Sequence, residues 1–123
     1  MDLLPASGIA LATGYLLGSV PFSWIAVKAR TGRDLRPVGS GNAGATNAAR
    51  VHGRGWLLPI FLLDAGKGAG AVLLGGTLAD GDWVRIAGAA GAILGHILCP
   101  WLGFRGGKAV ATGAGVLVVL APW

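Results

Sequence analysis

Apolar residues fall in four blocks separated by one long polar segment and two short turns, and within each block they are too continuous for the one-sided stripe of a soluble helix. Residues 3–27 carry no charged side chain. At about 1.5 Å per residue, such a run crosses a hydrocarbon core about 30 Å thick with some tilt. Pro21, near its end, is expected to kink or stop the helix. Residues 28–54 are polar and hold Lys28, Arg30, Arg33, Arg36, Arg50 and Arg54 against Asp34 alone. A second apolar run, 56–79, is interrupted by Asp64 and Lys67, and Asp80-Gly81-Asp82 makes an acidic turn. A third run, 86–104, carries His96. Residues 105–108 form a tight basic turn, and 109–123 start a fourth run. The expected fold is all-α: one membrane domain over residues 1–123, a polytopic helical bundle of three complete spans and the start of a fourth.

Composition sharpens this picture. The chain of 123 residues is 54% hydrophobic and 12% charged, with a mean hydropathy of +0.67, which places it in the membrane class. Ten Lys and Arg stand against five Asp, with no glutamate. The cations cluster beside apolar spans, so they read as topology signals and anionic-lipid contacts, and no nucleic acid is expected as a partner. The 28–54 and 105–108 segments should both be cytoplasmic and the N-terminus outside. The first run lacks a basic leader and is too long for a signal peptide, so it reads as a retained span. Cys99 is the single cysteine, which excludes an intrachain disulfide, and His52 and His96 beside it make a poor metal set. No metal and no cofactor are expected. Among the 23 glycines, the pairs Gly14/Gly18, Gly66/Gly70, Gly91/Gly95 and Gly103/Gly107 have the spacing of close helix crossings.

The candidate chemistry lies between the spans. Residues 39–50 read Gly-Ser-Gly-Asn-Ala-Gly-Ala-Thr-Asn-Ala-Ala-Arg. Glycines let backbone N–H groups converge on an anion, and Arg50 adds a bidentate cationic fork. The natural guest is a phosphate. The segment also fits the glycine pattern of dinucleotide folds, but it follows an apolar span rather than a strand, which excludes that reading. Neither Gly-Lys pair, at 66–67 or 107–108, has the glycine placement of a nucleotide phosphate loop. In Arg105-Gly106-Gly107-Lys108 two cations flank two glycines, and Lys108 stands at the start of a helix, where anions are attracted. Asp64 and Lys67, three apart on one helical face, read as a structural ion pair facing the bundle rather than as a catalytic acid. His96 fits a functional role and a hydrogen-bonded packing role equally.

Together with Gly18-Ser19-Val20-Pro21, Asp34-Leu35-Arg36, Asp64-Ala65-Gly66-Lys67-Gly68, His96, Pro100 and residues 104–112, the glycine-rich segment resembles the bacterial acyl-phosphate:glycerol-3-phosphate acyltransferases. The resemblance runs from about Gly14 to Gly115. It implies a multi-pass enzyme of the bacterial cell membrane that moves an acyl group from acyl phosphate to the 1-hydroxyl of glycerol 3-phosphate, opening phospholipid synthesis. The implied catalytic set is Ser40, Arg50, Lys108 and His96. The implied phosphate-binding set is Ser40, Gly41, Asn42, Gly44, Thr46, Asn47, Arg50, Gly106, Gly107 and Lys108, with Asn42, Thr46 and Asn47 giving hydrogen bonds or holding the loop. Partners would be glycerol 3-phosphate, acyl phosphate and membrane lipid. The family has seven helices, so this chain is expected to be the N-terminal part of such an enzyme, and it has a glycine where this chain has Ala109. The His-x4-Asp pair of soluble glycerolipid acyltransferases is absent: Leu57 and Trp101 stand at that spacing after His52 and His96. A different reading is a non-enzymatic anion channel or transporter fragment, which would need a polar path through the bundle.

Overall fold

The computed structural model describes residues 2–32, 47–49 and 53–121. Among these, every regular element is helical: α1 (Leu3–Gly18), α2 (Phe22–Thr31), α3 (Leu57–Leu78), α4 (Asp82–Ile97) and α5 (Val110–Leu120), with 3₁₀ turns at Arg54–Trp56 and Pro100–Leu102. Three segments are long and apolar enough to cross a membrane: Leu3–Thr31, Arg54–Leu78 and Asp82–Leu102. The fourth apolar helix, α5, has 11 residues, about 16 Å of axis.

The first span departs from a plain rod. Helix α1 stops at Gly18, the chain unwinds through Ser19, Val20 and Pro21, and α2 resumes at Phe22 and continues to Thr31. Pro21 is the cause, since it has no N–H to donate and its ring excludes a continuous helix. The resumed helix takes in Lys28 and Arg30, beyond the apolar run read from sequence. The third helix also differs from expectation. It begins at Asp82, taking in Arg85, and ends at Ile97. Pro100 forces the end by holding Cys99 extended, at φ −64 and ψ 114. His96 therefore sits in the last turn of its helix rather than two turns inside it.

Glycine sets the packing. Built Cβ atoms on Gly14 and Gly18 of α1 would collide with the backbone of Gly88 and Ala92, and those on Gly91 and Gly95 of α4 with Leu11 O and Tyr15 O. Residue numbers rise together along this seam, so α1 and α4 run parallel, and α3 runs antiparallel to both, with Gly88 against Ala71 and Gly75 against Val84. Two of the four sequence-read pairs thus form the main crossing. The other two do not. Gly66 has open space around it, while Gly68 and Gly115 make the α3–α5 contact, at Thr112 O and Ala65 O. Gly103 ends the Pro100–Leu102 turn in the left-handed region, at φ 65, and belongs to no helix crossing. Spacing alone does not say which face a neighbour covers.

All five elements bring one kind of end together. The α1 break, α2, the start of α3, the end of α4 and the start of α5 gather at the end of the bundle that carries Lys28, Arg30, Arg54, Arg105 and Lys108. Asp2, Asp80 and Asp82 lie at the other end.

The seam and the open glycine give opposite expectations. Gly91→Ala should destabilise the bundle by about 1–3 kcal/mol, the range for overpacking. Gly66→Ala should be neutral or stabilising by up to about 1 kcal/mol, from helix propensity alone. Reversible unfolding in bicelles measures both, and equal effects at the two positions would reject the close α1–α4 crossing.

Candidate functional site

At the basic end, the polar atoms of the bundle gather around one ammonium. Lys67 of α3 is 4% exposed. Its Nζ donates to Val20 O at 2.8 Å and contacts His96 Nδ1 at 2.9 Å. Asp64 Oδ1 lies 3.2 Å away, one helical turn back. The Phe22 ring stands below it, with its centroid 5.7 Å from Nζ. An ammonium has three donors and no lone pair, so His96 Nδ1 accepts and the ring proton sits on Nε2. Lys67 is buried and engaged with Val20 O and His96 Nδ1, and it faces Asp64 Oδ1 at ion-pair distance, although that oxygen has no hydrogen-bond partner among the described residues.

Three more bonds stitch the same level. The Tyr15 hydroxyl donates to Leu98 O at 2.6 Å, Cys99 Sγ to Ser19 O at 3.1 Å, and Trp101 Nε1 to Ser19 Oγ at 3.0 Å. Each ties the α1 break to the exit from α4. Cys99 thereby gives a donor to the Ser19 carbonyl of the break, which at membrane depth would cost several kcal/mol if left unpaired. Asp64, Lys67 and His96 line a small cavity of about 10 Å³ together with Ser19, Phe22 and Gly106, room for about one water.

The 105–108 turn hangs from the end of α4. Gly106 N–H donates to Ile97 O at 2.8 Å and Gly107 N–H to His96 O at 3.2 Å. A Cβ on Gly106 would collide with His96 O, so the close approach requires glycine there. The next residue, Lys108, is exposed, and α5 starts at Val110. Lys108 therefore stands beside the unpaired first-turn amides of a helix, an arrangement that favours an anion. Ala109 between them adopts φ 61, the left-handed region that glycine enters freely and alanine enters at a cost.

The sequence-read candidates divide as follows. Lys108 is exposed at a helix N-terminus. Gly106 and Gly107 are placed as a strap, because their N–H groups are used by α4 carbonyls; amide donation from these two to a phosphate is not the role this geometry gives them. His96 is buried with Nδ1 occupied, which fits the packing role and removes that nitrogen as a base. Asp64 and Lys67 form the expected buried ion pair. Asn47 is buried in a helical stretch, 47–49, beside Ala48, which packs with Val27 and Ile60. Ser40, Gly41, Asn42, Gly44, Thr46 and Arg50 lie outside the described residues, as does His52. Ser19, Tyr15, Cys99 and Trp101 were not singled out as site holders. The available signal was Pro21, whose missing N–H guarantees displaced carbonyls in search of donors.

Comparison with known proteins follows from this geometry. The family model described as glycerol-3-phosphate acyltransferase matches residues 8–123. A glycerol-3-phosphate acyltransferase of Synechococcus sp. (strain CC9902) is 50% identical over 97% of this chain and 60% of its own length. One from Anaeromyxobacter dehalogenans (strain 2CP-1 / ATCC BAA-258) is 47% identical over 99% of this chain and 62% of its own. The crystal structure of PlsY, an integral membrane glycerol 3-phosphate acyltransferase, in its glycerol 3-phosphate form superposes with a TM-score of 0.84 at 38% identity, covering 94% of this chain and 58% of that one. Its lysophosphatidic acid form gives a TM-score of 0.79 at 33% identity, over 94% and 57%. The chain thus spans about three-fifths of the relatives it matches.

Ala109 gives a direct test of the turn. Ala109→Gly should raise stability by about 0.5–1 kcal/mol, the left-handed cost for alanine less the backbone entropy of glycine. Ala109→Val should lower it by more than about 1 kcal/mol. Unfolding of both variants in bicelles checks the sign, and destabilisation by glycine would mean that residue 109 is not left-handed.

Proposed function

The chain belongs to the glycerol-3-phosphate acyltransferase family, and from that premise we propose that the protein transfers an acyl group from acyl phosphate to the 1-hydroxyl of glycerol 3-phosphate. The products are 1-acylglycerol 3-phosphate and inorganic phosphate. The hydroxyl oxygen attacks the acyl carbon, the bond from that carbon to the phosphate oxygen breaks, and the proton leaves with phosphate. In this reading a substrate phosphate accepts the hydroxyl proton. The leaving group is good, so the protein needs no covalent nucleophile. Its work is to hold phosphates in line and to stabilise the charge that develops on oxygen.

The observation that supports this most is the position of Lys108. It is an exposed cation at a helix N-terminus, on a turn bonded to the end of a membrane span. That combination fits a phosphate held at the bilayer surface while an acyl chain lies along the apolar bundle. Arg50 and Ser40 complete the phosphate set in this reading, with Asn42, Thr46 and Asn47 shaping the glycine-rich loop. The basic end is cytoplasmic and the N-terminus outside, by the excess of Lys and Arg, and the membrane is the bacterial inner membrane. Lipid is the medium of the reaction and its product enters phospholipid synthesis. The channel reading finds no support among the described residues. Beyond Lys67 the interface is built from Ala6, Ala10, Gly14, Ala71, Val72 and Val84, all buried and apolar.

Arg50→Ala and Lys108→Ala should each lower acyl transfer at least about tenfold, because a charge-assisted phosphate contact is worth about 1.5–3 kcal/mol. Arg50→Lys should restore only part, since an ammonium lacks the bidentate fork. Steady-state kinetics on membranes carrying the protein measure this, and parent-like rates in both alanine variants would reject the site.

The same membranes, given chelator and glycerol 3-phosphate, should form product with acyl phosphate and not with acyl-coenzyme A. Mass spectrometry of the lysophosphatidic acid decides, and product from acyl-coenzyme A alone would refute the donor.

A further inference from the structure

We infer that Lys67 is a positioning residue for the turn that carries Lys108: by holding His96, its buried ammonium fixes the end of α4 from which residues 106–108 hang. The functional weight of this rests on the reading of Lys108 as a phosphate ligand.

The connection is short and each link is a named bond. Lys67 Nζ donates to His96 Nδ1 at 2.9 Å, which fixes the imidazole against α3. The carbonyl of the same His96 accepts Gly107 N–H at 3.2 Å, and its neighbour Ile97 O accepts Gly106 N–H at 2.8 Å. Gly106 is pressed so closely on His96 O that no side chain fits between them. Lys108 is the residue after Gly107, with its Cα about 3.8 Å along the chain. A shift of His96 is therefore passed to Lys108 with almost no slack.

The ammonium also holds Val20 O at 2.8 Å and Asp64 Oδ1 at 3.2 Å. Three segments are thus referred to one atom: the break in the first span, the middle of the bundle through α3, and the end of α4. Stability alone does not call for such a group. Buried ion pairs are often replaced by apolar side chains of similar volume without loss, whereas the partners of a buried charge are held to one geometry. An apolar residue at 67 would fill the same space and leave the His96 ring nitrogen without this donor, while Val20 O would keep only the Phe22 N–H.

The test uses the chain in lipid nanodiscs and reads amide hydrogen exchange, with Asp64→Leu/Lys67→Met as the main variant. Leucine keeps the branched shape of aspartate, methionine keeps the stem of lysine, and no unpaired charge remains. Exchange in residues 104–110 should be at least about tenfold faster than in the parent when each is divided by exchange in residues 84–95. That ratio cancels any general loosening of the bundle. A parent-like ratio overturns the inference, including the case in which both segments accelerate equally, which would make Lys67 a structural staple only. The single variant Lys67→Met should raise the same ratio, and Lys108→Ala should leave it unchanged. Lys108→Ala reports separately on the phosphate reading through its acyl-transfer rate. Failure of that reading and failure of this inference therefore register in different measurements.

Discussion

A lysine ammonium inside a lipid-facing bundle must find an acceptor for each of its N–H groups, and in this protein that requirement organises one whole end of the fold. A cation at mid-membrane depth costs about 2.5–3.5 kcal/mol on insertion scales. A helix broken within the membrane carries a cost of its own, because its displaced carbonyls have no water to turn to. Lys67 and the Ser19–Pro21 break meet at one point: the ammonium donates to Val20 O and to His96 Nδ1, with Asp64 beside it as the counter-charge. The thiol of Cys99 and the indole of Trp101 complete the arrangement by taking the two oxygens of Ser19.

Concentrating polar atoms at one level leaves the rest of the bundle free to pack by backbone approach. Alanine and glycine dominate the α1–α4 seam, and the contacts there are between main chains. Such packing relies on fit rather than on a hydrophobic drive, since lipid is as apolar as the seam itself. The two devices divide the labour. The glycine seam sets how near the spans come, and the polar node sets where along their length they stop. The end of α4 that reaches this node also carries the strap at Gly106 and Gly107.

Much of this was legible in the chain and some was not. Long apolar runs located three spans, the second of them despite Asp64 and Lys67, and the counts of Lys and Arg separated the two ends. The i,i+3 spacing of Asp64 and Lys67 announced their pairing. Helix limits were less legible, because hydropathy does not register what proline does to the residue before it. Cys99 is apolar enough to continue a span, yet Pro100 holds it extended and ends α4 two residues earlier, at Ile97. Glycine spacing identified Gly14/Gly18 and Gly91/Gly95 but misplaced the α3 contact from Gly66 to Gly68, since a helix rich in glycine offers several equivalent faces. The partners of Lys67 were hidden for a different reason. Two of its three acceptors, Val20 O and His96 Nδ1, are 47 and 29 residues away in sequence. One of those is a backbone oxygen, about which residue type says nothing. Of the phosphate-site residues read from sequence, Lys108 is placed by its helix, and Ser40, Gly41, Asn42, Gly44, Thr46 and Arg50 lie outside the described residues.

Lys67 and Lys108 show why residue type alone does not assign chemistry. Both are lysines next to glycine at the same end of one bundle. The first is buried against Val20 O, His96 Nδ1 and the Asp64 carboxylate. The second is exposed, with the first-turn amides of α5 beside it, so its charge is open to a ligand. In the proposed reaction that difference is what catalysis requires. Acyl phosphate brings its own leaving group, so chemistry gains little from a protein nucleophile and much from cations that do not move as charge shifts between phosphate oxygens. A long lysine side chain on a free turn would lose that advantage to its own rotamers. The turn is fastened through two glycine amides to the helix whose His96 meets Lys67, and in the proposed site that would give Lys108 a fixed root and a preorganised place for its charge.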